Sequence, residues 1–226
     1  MDLNELLVKG KVKEVKPFIF AAIIKDPYDR AMLFCRYQEY YESPFSEIRG
    51  KFFTLEEYMR VYTQNNNKNY FSYPDDWSGF NVPSSILTEA NRLFQDNPSP
   101  YDSAMTNIIN YCEKEASRRN NYQPHLWYLV GVDKLTSTTM EHEIAHGLYY
   151  TNLKYKVEMD YITSDMLLKD QISLRKELIK SGYANDKSIL YDEIQAFMST
   201  GPLSTWNKKI YEKYSPEYIR VFNNYK

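Results

Sequence analysis

Thr139-Met140-Glu141-His142-Glu143-Ile144-Ala145-His146-Gly147-Leu148 is the stretch in which residue type and spacing could do chemistry. Residues four apart on a helix share a face, one turn above the other. His142 and His146 can therefore offer two imidazoles to one zinc ion at about 2.0–2.1 Å each. Glu143, one step round the helix, falls beside the ion and not on it. There it could take a proton from a water whose pKa the metal has lowered to about 7. A neutral nitrogen pair suits that task because it holds zinc and leaves a position open for water.

The flanks extend the pattern. Ile144, Ala145 and Gly147 are uncharged, Leu148 is hydrophobic, and Thr139 and Met140 ahead of the first histidine are uncharged. The stretch resembles the extended signature of the zincin metallopeptidases. That resemblance implies an α+β, predominantly helical chain with a small sheet over the motif helix. It implies one domain over residues 1–226, with an upper part of about 1–147 and a helical lower part of about 148–226. Upstream of Lys134 nothing matches a peptidase pattern.

A stable catalytic zinc site needs three protein ligands and a water. The metzincin pattern would place glycine at 149 and histidine at 152, where this chain has Tyr149 and Asn152, so that branch is excluded. His125 lies upstream in a strand-like run and reads as a structural histidine or a substrate contact. A carboxylate on a later helix is left, as in gluzincins. Tyr191-Asp192-Glu193-Ile194-Gln195-Ala196 resembles the gluzincin glutamate helix, in which a small residue, here Ala196, follows the ligand by three and lets the two helices approach. Glu193 is the favoured third ligand, Asp165 competes with it, and Glu158 comes too soon unless the chain reverses at once. Asp192 is placed to orient a histidine through its other ring nitrogen. Zincins also use a tyrosine or histidine at the oxyanion; Tyr149, Tyr150, Tyr155 and Tyr191 are all candidates.

Composition sets the frame for these residues. A 226-residue chain of net charge −2, 43% hydrophobic and 26% charged, is that of a soluble globular protein with room for a sizeable core. Nothing in it suggests a nucleic-acid or membrane partner. No signal peptide or membrane-spanning run is present, so a cytoplasmic location is expected. Cys35 and Cys112 are far apart and in no metal-type spacing; they read as buried thiols. The 22 tyrosines read chiefly as core.

The elements that must position the motif follow in order. A short helix is expected over 2–9, then a buried strand from Val15 to Ile24. A helix capped by Asp26 with Pro27 first runs to about Glu42. Thr54 and Glu57 form a capping box for the next. Residues 64–84 show no regular pattern; they read as a loop that tucks its aromatics against the core, with no chemistry assigned. Helices follow over 85–95 and 100–119, the second capped by Ser99 and Asp102. A strand over 126–132 leads to the motif helix, with Thr138 and Glu141 as its capping box. One long helix is expected over 155–181, with Val157, Tyr161, Leu168 and Ile172 among its apolar positions. Another runs from an Asp186 cap to Thr200, and the tail reads as two helices, 204–214 and 216–224, divided at Pro216.

The reading that follows is a zinc metallopeptidase acting on a peptide or protein substrate. Its ligands are His142, His146 and Glu193, and Glu143 is the general base. The alternatives are a metal-bearing or metal-free interaction protein without turnover, and metal-assisted hydrolysis of a non-peptide bond.

Overall fold

The computed structural model describes residues 10–120 and 122–226; the helix expected over 2–9 lies outside them. In chain order the elements are β1 (Val12–Lys16), β2 (Ile19–Ile23), α1 (Pro27–Glu42), α2 (Leu55–Asn65), α3 (Tyr73–Asp76), β3 (Phe80–Pro83), α4 (Ser84–Phe94) and α5 (Pro100–Ala116). After them come β4 (Tyr128–Val132), α6 (Thr138–Thr151), α7 (Leu153–Asp165), α8 (Leu168–Lys180), α9 (Lys187–Thr200) and α10 (Lys208–Tyr225). The protein is α+β and predominantly helical, with one small sheet.

The four strands lie in the order β1-β2-β4-β3. The central pair, β2 and β4, is parallel, with Ile19 opposite Tyr128 and Ile23 opposite Val132. Both outer strands pair antiparallel with it. Because side chains alternate across a strand, β2 feeds two cores at once. Phe20 and Ala22 join the cluster formed with α1, α2, α4 and α5. Ile19 and Ala21 join Val130, Met140, Ala145 and the helices from α6 to α10 on the other face. A strand covered on both faces needs an unbroken apolar run, which Ile19-Phe20-Ala21-Ala22-Ile23 supplies.

Several expected caps form. Asp26 accepts from Asp29 N at 2.9 Å, and both the Thr54–Glu57 and Ser99–Asp102 capping boxes close. Cys35 and Cys112 are buried free thiols. Among the described residues no helix is long and apolar enough to cross a membrane.

Five expectations are corrected. The single strand over 15–24 is a hairpin, turned at Pro17-Phe18, where Phe18 takes φ 64° and its N–H donates to Glu14 Oε1 at 2.9 Å. The 64–84 loop contains α3 and the fully buried strand β3. The motif helix is capped one residue earlier, by Ser137, which accepts from Met140 N at 3.0 Å. The long 155–181 helix is two helices, broken at Met166-Leu167, where Tyr214 Oη takes up the Leu167 N–H at 3.2 Å. The buried stripe of α7 is Tyr155, Met159 and Thr163, so Val157 and Tyr161 face solvent, Tyr161 at 71% exposure, as do Leu168 and Ile172 in α8. Finally, the tail is one helix. Pro216 sits inside α10 and removes one backbone bond, which the buried face of Ser215, Tyr218, Val221 and Phe222 outweighs.

Candidate metal centre

α6 carries His142, Glu143 and His146 under the sheet, and glycine makes that position possible. A Cβ on Gly147 would stand 2.8 Å from Ile19 Cδ1, so only a residue without one lets the helix lie this close to β2. α9 packs along α6 and presents Glu193; Ala196, one turn on, is fully buried at that packing.

The two helices bring His142, His146 and Glu193 together. The two Nε2 atoms are 3.2 Å apart; Glu193 Oε2 is 3.8 Å from His142 Nε2, and Glu193 Oε1 is 3.7 Å from His146 Nε2. Two ligands on one zinc stand at most about 4.4 Å apart, so each of these contacts is within reach of one ion, the carboxylate meeting the two rings through different oxygens; taken one atom per residue, the three donors lie within 4.8 Å of one another. Asp165 is not in the group: it is exposed at the end of α7. Glu158 instead accepts from Tyr225 Oη at 2.5 Å. His125 is not in a strand but in the turn before β4, exposed, 3.3 Å from Thr88 Oγ1.

Hydrogen bonds at the far side of each ring fix what faces inward. Thr200 Oγ1 donates to Ala196 O at 2.8 Å, so toward His142 Nδ1, at 3.3 Å, it accepts. Asp192 Oδ1 accepts from His146 Nδ1 at 2.8 Å, the role expected of it. Both Nδ1 atoms therefore carry hydrogen, and both Nε2 atoms point at each other and at Glu193. Glu193 is 3% exposed, and its Oε2 has no hydrogen-bond partner. Two facing nitrogens, His146 buried and His142 half-buried, and a buried carboxylate oxygen without a partner make a donor set that a zinc ion would satisfy.

The charges agree. Burial alone pushes the His146 imidazole down, but Asp192, Glu193 and Glu143 together outweigh it and lift its pKa well above the usual range. Burial and the neighbouring His146 hold His142 well below it, and burial raises Glu193. The pocket favours one positive charge at the point where the two rings meet.

Glu143 is also buried, and burial lifts its carboxyl to about 7. Its Oε2 accepts from Asn81 Nδ2 at 2.9 Å; Asn81 Oδ1 accepts from Tyr128 Oη at 2.5 Å, and the Asn81 N–H donates to Gln38 Oε1 at 3.0 Å. Asn81 belongs to β3, inside the stretch to which sequence reasoning assigned no chemistry. Gly79, just before it, is needed there: a Cβ would collide with Glu143 Oε1 and stand 2.6 Å from Thr139 Cγ2.

A cleft of about 440 Å³ opens over these groups, lined in part by Trp77, Tyr183 and Phe197. None of the four candidate tyrosines lines it. Tyr149 donates to Asp160, Tyr150 donates to His125 O and shares a hydrogen bond with Ser85 Oγ, and Tyr155 donates to Gln195, while Arg175 and Lys187 lie over the Tyr191 ring. Tyr183 takes that place. Its position after Gly182 at the end of α8 is the only sequence cue, and that cue speaks of a turn, not a site. Glu42, at the end of α1, is a further unforeseen lining residue; burial and Glu193 raise its pKa well above the usual value.

Compared with family models, curated proteins and solved structures, the chain matches none.

Proposed function

We propose that the protein is a zinc-dependent metallopeptidase of zincin type, with His142, His146 and Glu193 as ligands and Glu143 as general base. The observation that carries this reading is the buried three-donor group on α6 and α9, with a carboxylate of raised pKa next to it in an open cleft. Zinc held there would supply a Lewis acid that acidifies a water and polarises the scissile carbonyl.

The chain's own groups supply the rest. Burial lifts the Glu143 carboxyl to about 7 in the metal-free fold, and a cation beside it would favour the carboxylate, the form that accepts a proton. Glu143 takes the proton of the attacking water and passes it to the leaving amine. Asn81 holds one carboxylate oxygen, so the other stays directed at the cleft. Tyr183, whose hydroxyl interacts with Glu193 in the metal-free fold, is the tyrosine lining the cleft that could turn to donate to a developing oxyanion. Burial and the carboxylates of Glu193, Glu42 and Glu143 raise its pKa, so the phenol keeps its proton.

Metal content and cleavage of an unstructured protein test the proposal together. Wild type is expected to hold one zinc per chain and to cleave; Glu193→Ala to lose the metal. Glu143→Gln should retain zinc and slow cleavage by about 10²–10⁴-fold. Cleavage at the wild-type rate by zinc-loaded Glu143→Gln would remove Glu143 from the chemistry. A folded wild type that takes up no zinc would remove the metal.

A further inference from the structure

A second cavity, of about 580 Å³, joins the cleft: Gln38, Glu42, Trp77 and Tyr183 line both. Its walls are aromatic. Tyr58, Tyr62 and Tyr73 meet edge-on or tilted at 5.2–5.8 Å between ring centroids, and Phe45, Trp77 and Phe80 complete the lining. Asn65, Asn66 and Lys68 are exposed and mark the rim, whereas Tyr58, Tyr73 and Phe80 are buried and mark the inner end.

Glu39 lines that inner end at 7% exposure, and its Oε2 has no hydrogen-bond partner. Tyr58 Oη and Trp77 Nε1 also lack a partner in good hydrogen-bond geometry, while burial raises the Glu39 carboxyl and the nearby Ser43, Tyr58 and Tyr73 hydroxyls offset part of that rise without supplying a charge. Asp76 adds a second carboxylate, oriented by Tyr62 Oη at 2.8 Å and Ser72 Oγ at 2.6 Å. With Glu42, three acidic side chains line the cavity against one cation, Lys68.

This combination selects a ligand. An apolar side chain would fill the space and seal Glu39 from water with only neutral hydroxyls beside it and no cation to pair with, which is unfavourable. An anion would face three carboxyl groups. A cation on an aliphatic stem satisfies each part, because the stem covers the ring walls, the ring faces attract the charge, and the carboxyl at the end pairs with it.

We infer that this cavity is a specificity subsite for an arginine or lysine side chain of the peptide substrate, with Glu39 as its charge partner. The inference rests on the peptidase reading and deepens it.

The test uses quenched peptides scanned with arginine, lysine, norleucine and glutamate at each position across the scissile bond, with zinc-loaded protein. At one position wild type should prefer arginine or lysine over norleucine by at least about 10-fold in kcat/KM. Glu39→Gln should bring that ratio to within about 3-fold, and Lys68→Glu, at the exposed rim, should increase it. Cleavage with no basic preference, or a preference untouched by Glu39→Gln, would overturn the subsite and leave the peptidase reading standing. Binding of the same peptides to zinc-loaded Glu143→Gln, followed by fluorescence anisotropy, needs no turnover. A Glu39-dependent basic preference in binding, with no peptide cleaved by wild type, would keep the subsite and overturn the peptidase reading.

Discussion

Asp192 accepts from His146 Nδ1 at 2.8 Å and from Gln195 Nε2 at 2.9 Å, and Gln195 is fixed in turn by Tyr155 at 2.7 Å. The chain of contacts sets the ring's orientation and its tautomer before any ion arrives. Asp192→Asn is therefore expected to weaken zinc by about 10–100-fold, read by competition with a chromophoric chelator; unchanged affinity would reduce Asp192 to a bystander. His142, Glu143 and His146 could be named from the chain because a helix converts spacing into direction, whereas Asp192 and Glu193 follow only from the resemblance of their segment to a gluzincin glutamate helix. Asn81, Gln38 and Tyr183 could not. Each reaches the cleft from another element, and their neighbours in sequence carry no periodic sign of it.

At the scale of elements, β3 is the piece that sequence reasoning left out. It is four residues long and ends in proline, too short to show alternation, and it owes its place to pairing with β4. Its approach to α6 depends on Gly79. Gly79→Ala should push Glu143 from its position, and displacement of about 1 Å at a reacting group costs about 10²-fold in rate. The expected result is that loss in kcat with zinc content unchanged; full activity would show that the contact gives way cheaply. Helix starts were legible because capping is local: Asp26, Thr54 and Ser99 each satisfy an N–H group three residues away. The break at Met166-Leu167 and the continuity through Pro216 were not, since Tyr214 and a buried helix face decide them from a distance.

For the whole molecule, the centre is a concentration of buried carboxyl groups that the metal-free fold accommodates at a cost. Zinc at about 100 times its dissociation constant should add about 2.7 kcal/mol, or roughly 5–10 °C in Tm for a chain of this size. Glu193→Gln should abolish that rise and, by removing one buried acid, melt above metal-free wild type. A zinc-induced rise of the same size in the variant would move the third ligand elsewhere. The composition announced a globular chain with a sizeable core, but not that one sheet divides two cores, because the parallel partner of β2 lies about half the described chain away. That pairing has a temporal consequence. During synthesis the sheet's central pair cannot form until β4 has left the ribosome, and the third donor follows only with α9. An unfinished chain holds at most the two imidazoles of α6 beside no cleft, so on the proposed reading no zinc site is complete, and nothing can act on the chain's own nascent segments, until α9 docks.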